Sequence, residues 1–341
     1  MSVIYIRGGG PLEGELAVHG AKNSVLPILA ACLLARGPVT LHNCPRLTDV
    51  DAALGILRRL GCRVEQEGHA ITVDPAGASG CSISEEQMRA MRSSIIFLGP
   101  LLARAGEAHL TYPGGCELGP RPIDLHLSAI RALGCEVTED RGIHCLGRPR
   151  GGEIQLAMPS VGATENAMLC AVGADGPTTI TNAAREPEIG DLQGFLNLLG
   201  ADVRGAGSST ITVEGGRALS GGEYTVMGDR IVAATLLSAA ASAGGRVRLR
   251  GVDWRHLSTV LSVFHQAGCR VESRMEYVEL ERNRELPLKG VPTIRTAPYP
   301  GFPTDAQAPV MAALAASQGC TLFVETMFDS RYRHVPELIR M

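Results

Sequence analysis

An internal repeat constrains this chain more than any other feature. Five stretches rich in Ala and Leu, at 21–37, 91–106, 163–176, 229–244 and 304–319, each follow a polar turn and end on Gly. A second apolar stretch then runs into a similar stop, in ILRRLGCRVE, AIRALGCEVT, FLNLLGADVR and VFHQAGCRVE. Gly61, Gly134, Gly200 and Gly268 sit where a left-handed C-cap ends a helix. The pairs Gly37/Gly61, Gly106/Gly134, Gly176/Gly200 and Gly244/Gly268 are spaced almost alike. A short hairpin such as 62–73 closes the unit. Each unit is therefore expected to run strand-helix-strand-helix-strand-strand, with neighbours burying a shared core. Gly319 is the first stop of a fifth unit whose second stop would fall just beyond Met341, so the sequence is expected to stop inside that unit.

The length of 341 residues is long for one core and predicts two domains. A net charge of −3 excludes a global basic field, so no nucleic-acid partner is expected and any anion must be held by a local cluster. The apolar run Val3–Ile6 is too short for a signal peptide. The stretches 25–35 and 231–243 are too short to span a membrane, so a soluble, cytoplasmic protein is the expectation. Ten cysteines are scattered without CxxC spacing, which argues against zinc and dithiol sites. Gly8-Gly9-Gly10 lacks the strand and helix of a dinucleotide fingerprint and reads as a turn.

Candidate chemistry gathers where the first helix of each unit begins: Lys22-Asn23, Arg92, Ser160-Val161-Gly162, Asp229-Arg230 and Thr304-Asp305. Helix N-termini suit anions. Asp, Ser and Thr there have a plainer reading as N-caps, which applies to Ser160 and Thr304. That reading fails for Lys22 and Arg92, because a cation at a helix start opposes the dipole and implies a bound anion. The segment 112–126, Tyr-Pro-Gly-Gly-Cys-Glu-Leu-Gly-Pro-Arg-Pro-Ile-Asp-Leu-His, reads as a loop between a strand at 109–112 and a helix starting near Pro122. It exposes Cys116 close to Arg121, which favours a reactive thiolate. His126 reads as a helix-surface residue. In the turn 182–189, Arg185, Glu186 and Glu188 either face a ligand or form a salt-bridged loop.

These motifs resemble the UDP-N-acetylglucosamine 1-carboxyvinyltransferase family. The resemblance rests on Gly-Ala-Lys-Asn-Ser (20–24), Arg-Ser-Ser (92–94), Pro-Gly-Gly-Cys with Arg-Pro-Ile-Asp-Leu-His (113–126) and Pro-Ser-Val-Gly-Ala-Thr (159–164). It continues through Ala-Ala-Arg-Glu-Pro-Glu-Ile (183–189), Phe-Pro-Thr-Asp (302–305) and His-Val-Pro-Glu-Leu (334–338). It implies a mixed α and β fold of two inside-out α/β barrels, with one domain at 21–228, the other at 1–20 plus 229–341, and the site in the cleft between them. Six repeats are implied, and four with part of a fifth are present.

The resemblance implies transfer of the enolpyruvyl group of phosphoenolpyruvate to the 3-hydroxyl of UDP-N-acetylglucosamine, with phosphate released and no metal or organic cofactor. Cys116 becomes the acid that protonates the methylene carbon, Asp305 the base or positioning group, and Lys22 the phosphoenolpyruvate contact with Asn23 beside it. Arg92 and Arg121 become ligand anchors. Arg121, Pro122, Ile123, Asp124 and Leu125, with Ser160, Val161, Gly162 and Met327, match the nucleotide-sugar site. Met158 stands where some members carry Lys, and further arginines of the family belong to the part beyond Met341. The rivals are the sister transferase acting on shikimate 3-phosphate, which lacks the Pro-Gly-Gly-Cys loop, and a catalytically silent or fragmentary paralogue.

Overall fold

The computed structural model describes Tyr5 and residues 7–114 and 123–341. The chain divides into two compact units, one of Gly20–Met227 and one of Met1–His19 with Gly228–Met341. It passes from one to the other at 19–20 and returns at 227–228. Each crossing strand is bonded to its neighbour in its own unit: Asp229 N–H donates to the His19 carbonyl, and Ala21 N–H to that of Met227.

In the unit Gly20–Met227 the first helix of each repeat lies inside and the sheets lie outside. Helix Lys22–Ala31 is buried from Ser24 onward, and helix Val161–Val172 from Ala163 onward. Burial around nearly their whole circumference, polar residues included, means that other elements surround both helices. The stretch 91–106 is not one helix. It runs as a 3-10 turn, Arg92–Phe97, into an α-helix, Leu98–Ala105. Pro100 explains the break: it lacks an N–H and is tolerated only in the first turn of the α-helix. The second helices are amphipathic, as in Thr48–Arg59, which buries Val50, Ala53, Leu54, Ile56 and Leu57. Gly61, Gly134 and Gly200 follow them with φ of 102°, 83° and 109°.

Three sheets surround these helices. Pro177–Thr181 pairs in parallel with Gly152–Gln155 across helix Val161–Val172, and in antiparallel with Thr210–Glu214. The other four-stranded sheet repeats this pattern around Val39–His42, except that its parallel partner, Gly222–Thr225, comes from the far end of the unit. The unit thus closes on itself. In the third sheet Glu107–Leu110 pairs with Ile143–Leu146, and a single parallel bridge joins Ser82 to His109. The helix after Ile123 spans Asp124–Ala132.

The other unit follows the same logic around its own core. Leu12–Ala17 pairs in parallel with Gly245–Arg250, on either side of the residues that form Gly20–Met227. Thr293–Arg295 pairs in parallel with Leu322–Val324 across helix Thr304–Leu314. Among the described residues, no helix is long and apolar enough to cross a membrane.

Candidate functional site

The turn before helix Lys22–Ala31 is set by a close backbone approach. A Cβ on Gly20 would lie 1.9 Å from the Asn43 carbonyl oxygen, so only glycine fits. Ala21 then stands extended at the N-cap and offers no side-chain cap. Lys22 Nζ pairs with Asp49 at 2.5 Å, and Asn23 beside it is exposed. Asp49 belongs to the first turn of helix Thr48–Arg59, where a carboxylate is favoured. The anion that the Lys22 cation calls for is thus supplied, in part, by the protein itself.

Behind this turn Ser24 is buried and donates its hydroxyl to Asp191 of helix Pro187–Leu198. The same carboxylate accepts from Tyr224 Oη at 2.7 Å and from Met227 N–H at 3.2 Å. Burial pushes the Asp191 carboxyl up, and these three donors oppose that push. Burial and the nearby Asp191 charge raise the Tyr224 phenol in turn. The network ties the Lys22 turn to the strand Gly222–Thr225 and the residues that leave the unit.

A second network joins the other helix starts. Asn166 is fully buried in helix Val161–Val172. Its Oδ1 accepts from Gly99 N–H at 2.8 Å, and its Nδ2 donates to the Ile95 carbonyl at 2.8 Å and to His126 Nδ1 at 2.7 Å. With Nδ1 an acceptor, the neutral ring carries its proton on Nε2. The ring lies against Gly162, where a Cβ would come within 3.0 Å of Cε1 and 3.3 Å of Nε2. One amide therefore fixes the Arg92–Phe97 turn, the Asp124–Ala132 helix and the Ser160–Gly162 turn together. His126 is not the surface residue that its helix suggests: it is buried, and burial pushes its ring down to about 4.

Around this network Arg92 is half-buried, Ile123 and Leu125 are half-buried, and Asp124 is exposed. Ser160 caps helix Val161–Val172 through a bond from Ala163 N–H at 3.4 Å, and Val161 and Gly162 are half-buried. Met158 is exposed. Helix Lys22–Ala31 packs on the Arg92–Phe97 turn. Cys116, Arg121 and Pro122 lie outside the described residues. Their segment is bracketed by Ile123 and by Gly114, whose N–H reaches the Met88 carbonyl at 3.3 Å.

In the turn 182–189 the candidates separate. Arg185 is exposed, while Glu188 is buried close to the buried Glu165. Burial first, then the Glu188 and Glu186 charges, raise the Glu165 carboxyl well above its ordinary range.

The remaining candidates lie in the other unit. Thr304 is not the N-cap of its helix. Pro303 takes that position, and the Thr304 hydroxyl donates to Glu325 at 2.9 Å. Glu325 also accepts from Thr296 and from the N–H of Met327 at 2.7 Å, which fixes the half-buried Met327 beside this helix start. Asp305 accepts from Arg331 Nη2 at 2.6 Å, and the same guanidinium bonds the Thr304 carbonyl. Arg331 has only 15% of its side chain exposed. Sequence reasoning missed both Glu325 and Arg331. Their partners lie 21 and 26 residues away in the chain, and no local pattern connects them.

Residues 6–341 match the family described as EPSP synthase (3-phosphoshikimate 1-carboxyvinyltransferase). The chain is 48% identical over its full length to UDP-N-acetylglucosamine 1-carboxyvinyltransferase 2 of Caldanaerobacter subterraneus subsp. tengcongensis, covering 82% of that protein. It is 43% identical over its full length to the UDP-N-acetylglucosamine 1-carboxyvinyltransferase of Photobacterium profundum, covering 81% of it. Among solved structures it resembles the enolpyruvyl transferase NikO from Streptomyces tendae, with a TM-score of 0.83 at 23% identity, over 97% of this chain and 79% of that one. It also resembles EPSP synthase from Acinetobacter baumannii, with a TM-score of 0.72 at 21% identity, over 97% of this chain and 78% of that one. These likenesses place the fold among the mixed α/β enolpyruvyl transferases. The identities, which run across the whole chain, decide the branch: it belongs to the UDP-N-acetylglucosamine 1-carboxyvinyltransferase family.

Proposed function

We propose that this chain transfers the enolpyruvyl group of phosphoenolpyruvate to the 3-hydroxyl of UDP-N-acetylglucosamine, releasing phosphate, as a step of peptidoglycan synthesis in the cytoplasm. The observation that carries the reading is the 48% identity, over the full chain, to a transferase named for this reaction. The chemistry is addition followed by elimination. Cys116 protonates the methylene carbon of the enol ether and can itself add to C2, since a thiol serves as both acid and nucleophile. The sugar oxygen attacks C2 as Asp305 takes or orients its proton; the methyl carbon then gives up a proton as the C2–O bond to phosphate breaks, which restores the double bond and releases phosphate. Arg331 supports that role by holding the Asp305 carboxylate through a charge-assisted bond of 2.6 Å. Lys22 and Asn23 receive phosphoenolpyruvate, and an incoming phosphate competes with Asp49 for the ammonium group. Arg92 and Arg121 anchor anionic groups. Pro122, Ile123, Asp124 and Leu125, with Ser160, Val161, Gly162 and Met327, hold the nucleotide sugar.

Phosphate release with phosphoenolpyruvate and either UDP-N-acetylglucosamine or shikimate 3-phosphate tests the reading. Turnover is expected with the nucleotide sugar alone. Turnover with shikimate 3-phosphate instead would favour the sister reaction, and none with either would favour a silent paralogue. Cys116→Ser should abolish turnover while Cys116→Asp keeps some, because a carboxylic acid can also protonate carbon. Arg121→Ala should weaken nucleotide-sugar binding by about 1.5–3 kcal/mol, as loss of a charge-assisted contact does. Binding like that of the parent would remove Arg121 from the site.

A further inference from the structure

On the outer face of the sheet built around Glu107–Leu110, three metal-ligating side chains of different kinds converge. Glu107 and His109 are two residues apart on one strand, so both point to the same face. Cys81 lies on the neighbouring segment, which runs parallel to that strand. His109 N–H donates to the Cys81 carbonyl at 2.8 Å, and Ile83 N–H to the His109 carbonyl at 3.0 Å. The backbone therefore fixes the spacing of all three residues. Glu107 Oε1 lies 2.5 Å from His109 Nε2 and 3.7 Å from Cys81 Sγ, and the three ligand atoms lie within 4.8 Å of one another. His144 stands opposite His109 in the next strand, with its Nδ1 2.8 Å from His109 Nδ1.

We propose that Cys81, Glu107 and His109 form a binding site for a borderline-soft divalent cation, for which Zn²⁺ is the fitting ion. Bonds of about 2.0–2.3 Å to S, N and O in a tetrahedron place ligand atoms roughly 3.3–3.7 Å apart. The Cys81–Glu107 spacing already meets that. The Glu107–His109 pair has to open by about 1 Å, within reach of two half-exposed side chains. Three protein ligands leave the fourth position to water, the pattern of an open site. A cation on His109 Nε2 requires the ring proton on Nδ1, where His144 Nδ1 is placed to accept it as an outer partner. The Cys81 thiol loses its proton to solvent as the metal–sulfur bond forms. Burial and the Glu107 charge push that thiol up. Chain spacing hides the site, because its ligands meet across a parallel bridge instead of within a CxxC pattern.

The test uses the full chain, stripped with a chelator, in a Cys116→Ser background so that the loop thiol contributes nothing. Titration with Zn²⁺ should show one tight event, and Co²⁺ should give a thiolate-to-cobalt charge-transfer band. Cys81→Ser, which changes one atom and leaves the fold intact, should abolish the band and weaken Zn²⁺ binding at least tenfold. His109→Ala should weaken it comparably, and His144→Ala by about 10–100-fold with the band retained. Cys320→Ser, which alters an exposed cysteine elsewhere, should change neither readout. A Cys81→Ser protein that binds Zn²⁺ like its parent, or a parent with no charge-transfer band, would overturn the proposal and leave the group a solvated Glu107–His109 pair. No arm reads turnover, so the outcome is independent of the proposed reaction.

Discussion

Burial holds the His126 ring at about 4, while the ring of an unfolded chain titrates near ~6.5. Between those values the unfolded chain takes up a proton that the folded chain refuses. The folded value is depressed, so the stabilisation is complete above ~6.5 and is lost as pH falls toward 4. Complete loss is worth on the order of 3 kcal/mol, with Asp124 opposing part of the shift. Carboxylates contribute their own slope in the same range, so the readout is a difference between two proteins. Urea midpoints at pH 7, 5.5 and 4.5 should fall further for the wild-type chain than for His126→Gln, whose amide oxygen can still accept from Asn166. Equal falls would mean that the ring is protonated, or solvated, in the folded protein. The same ring restricts its neighbour. Gly162→Ala should cost about 1–3 kcal/mol through overpacking against Cε1 and Nε2, and should disturb the Ser160–Gly162 turn.

Among the helices, the start signals differ in kind, and stability should register the difference. Asp229 caps helix Arg230–Ala243 through Oδ1, which accepts from Ile231 N–H at 2.8 Å and Val232 N–H at 3.0 Å. Ser160 makes one bond of 3.4 Å. Asp229→Ala should therefore cost about 1–2 kcal/mol and Ser160→Ala well under ~1 kcal/mol by chemical denaturation. The reverse ranking would show that the cap geometry does not govern these ends. Such signals also decide how much of the fold is legible. The glycine stops and the apolar helices reveal the repeat, because C-caps and all-round burial leave marks in the local sequence. The loan of Gly222–Thr225 to the sheet of Val39–His42 leaves none, since a parallel partner can come from any distance. Lys22 and Asp305 stand out as polar residues at helix starts. Their partners Asp49 and Arg331 do not, because a charge gains meaning only once the fold brings its counterpart near. The burial of His126 is hidden for the same reason: one polar residue on an amphipathic helix gives no sign that a buried asparagine waits for it.

Among the described residues each unit has its own hydrophobic core, and that of Gly20–Met227 is the larger. A larger core buries a greater share of its apolar surface and is expected to be the more stable. The single tryptophan offers a direct way to see this. Trp254 opens a 3-10 turn that leads into helix Ser258–Gln266, within the smaller-core unit. Its emission reports on that unit, whereas far-UV circular dichroism sums the helices of both. In a guanidinium titration the Trp254 transition should come at lower denaturant than the main circular-dichroism transition. The circular-dichroism curve should also carry a shoulder at the fluorescence midpoint. A core substitution in the larger unit, such as Phe195→Ala, should cost about 3–5 kcal/mol. It should pull the main transition down toward the fluorescence midpoint while leaving the Trp254 curve where it was. Coincident transitions that move together under Phe195→Ala would mean that the two cores unfold as one cooperative body.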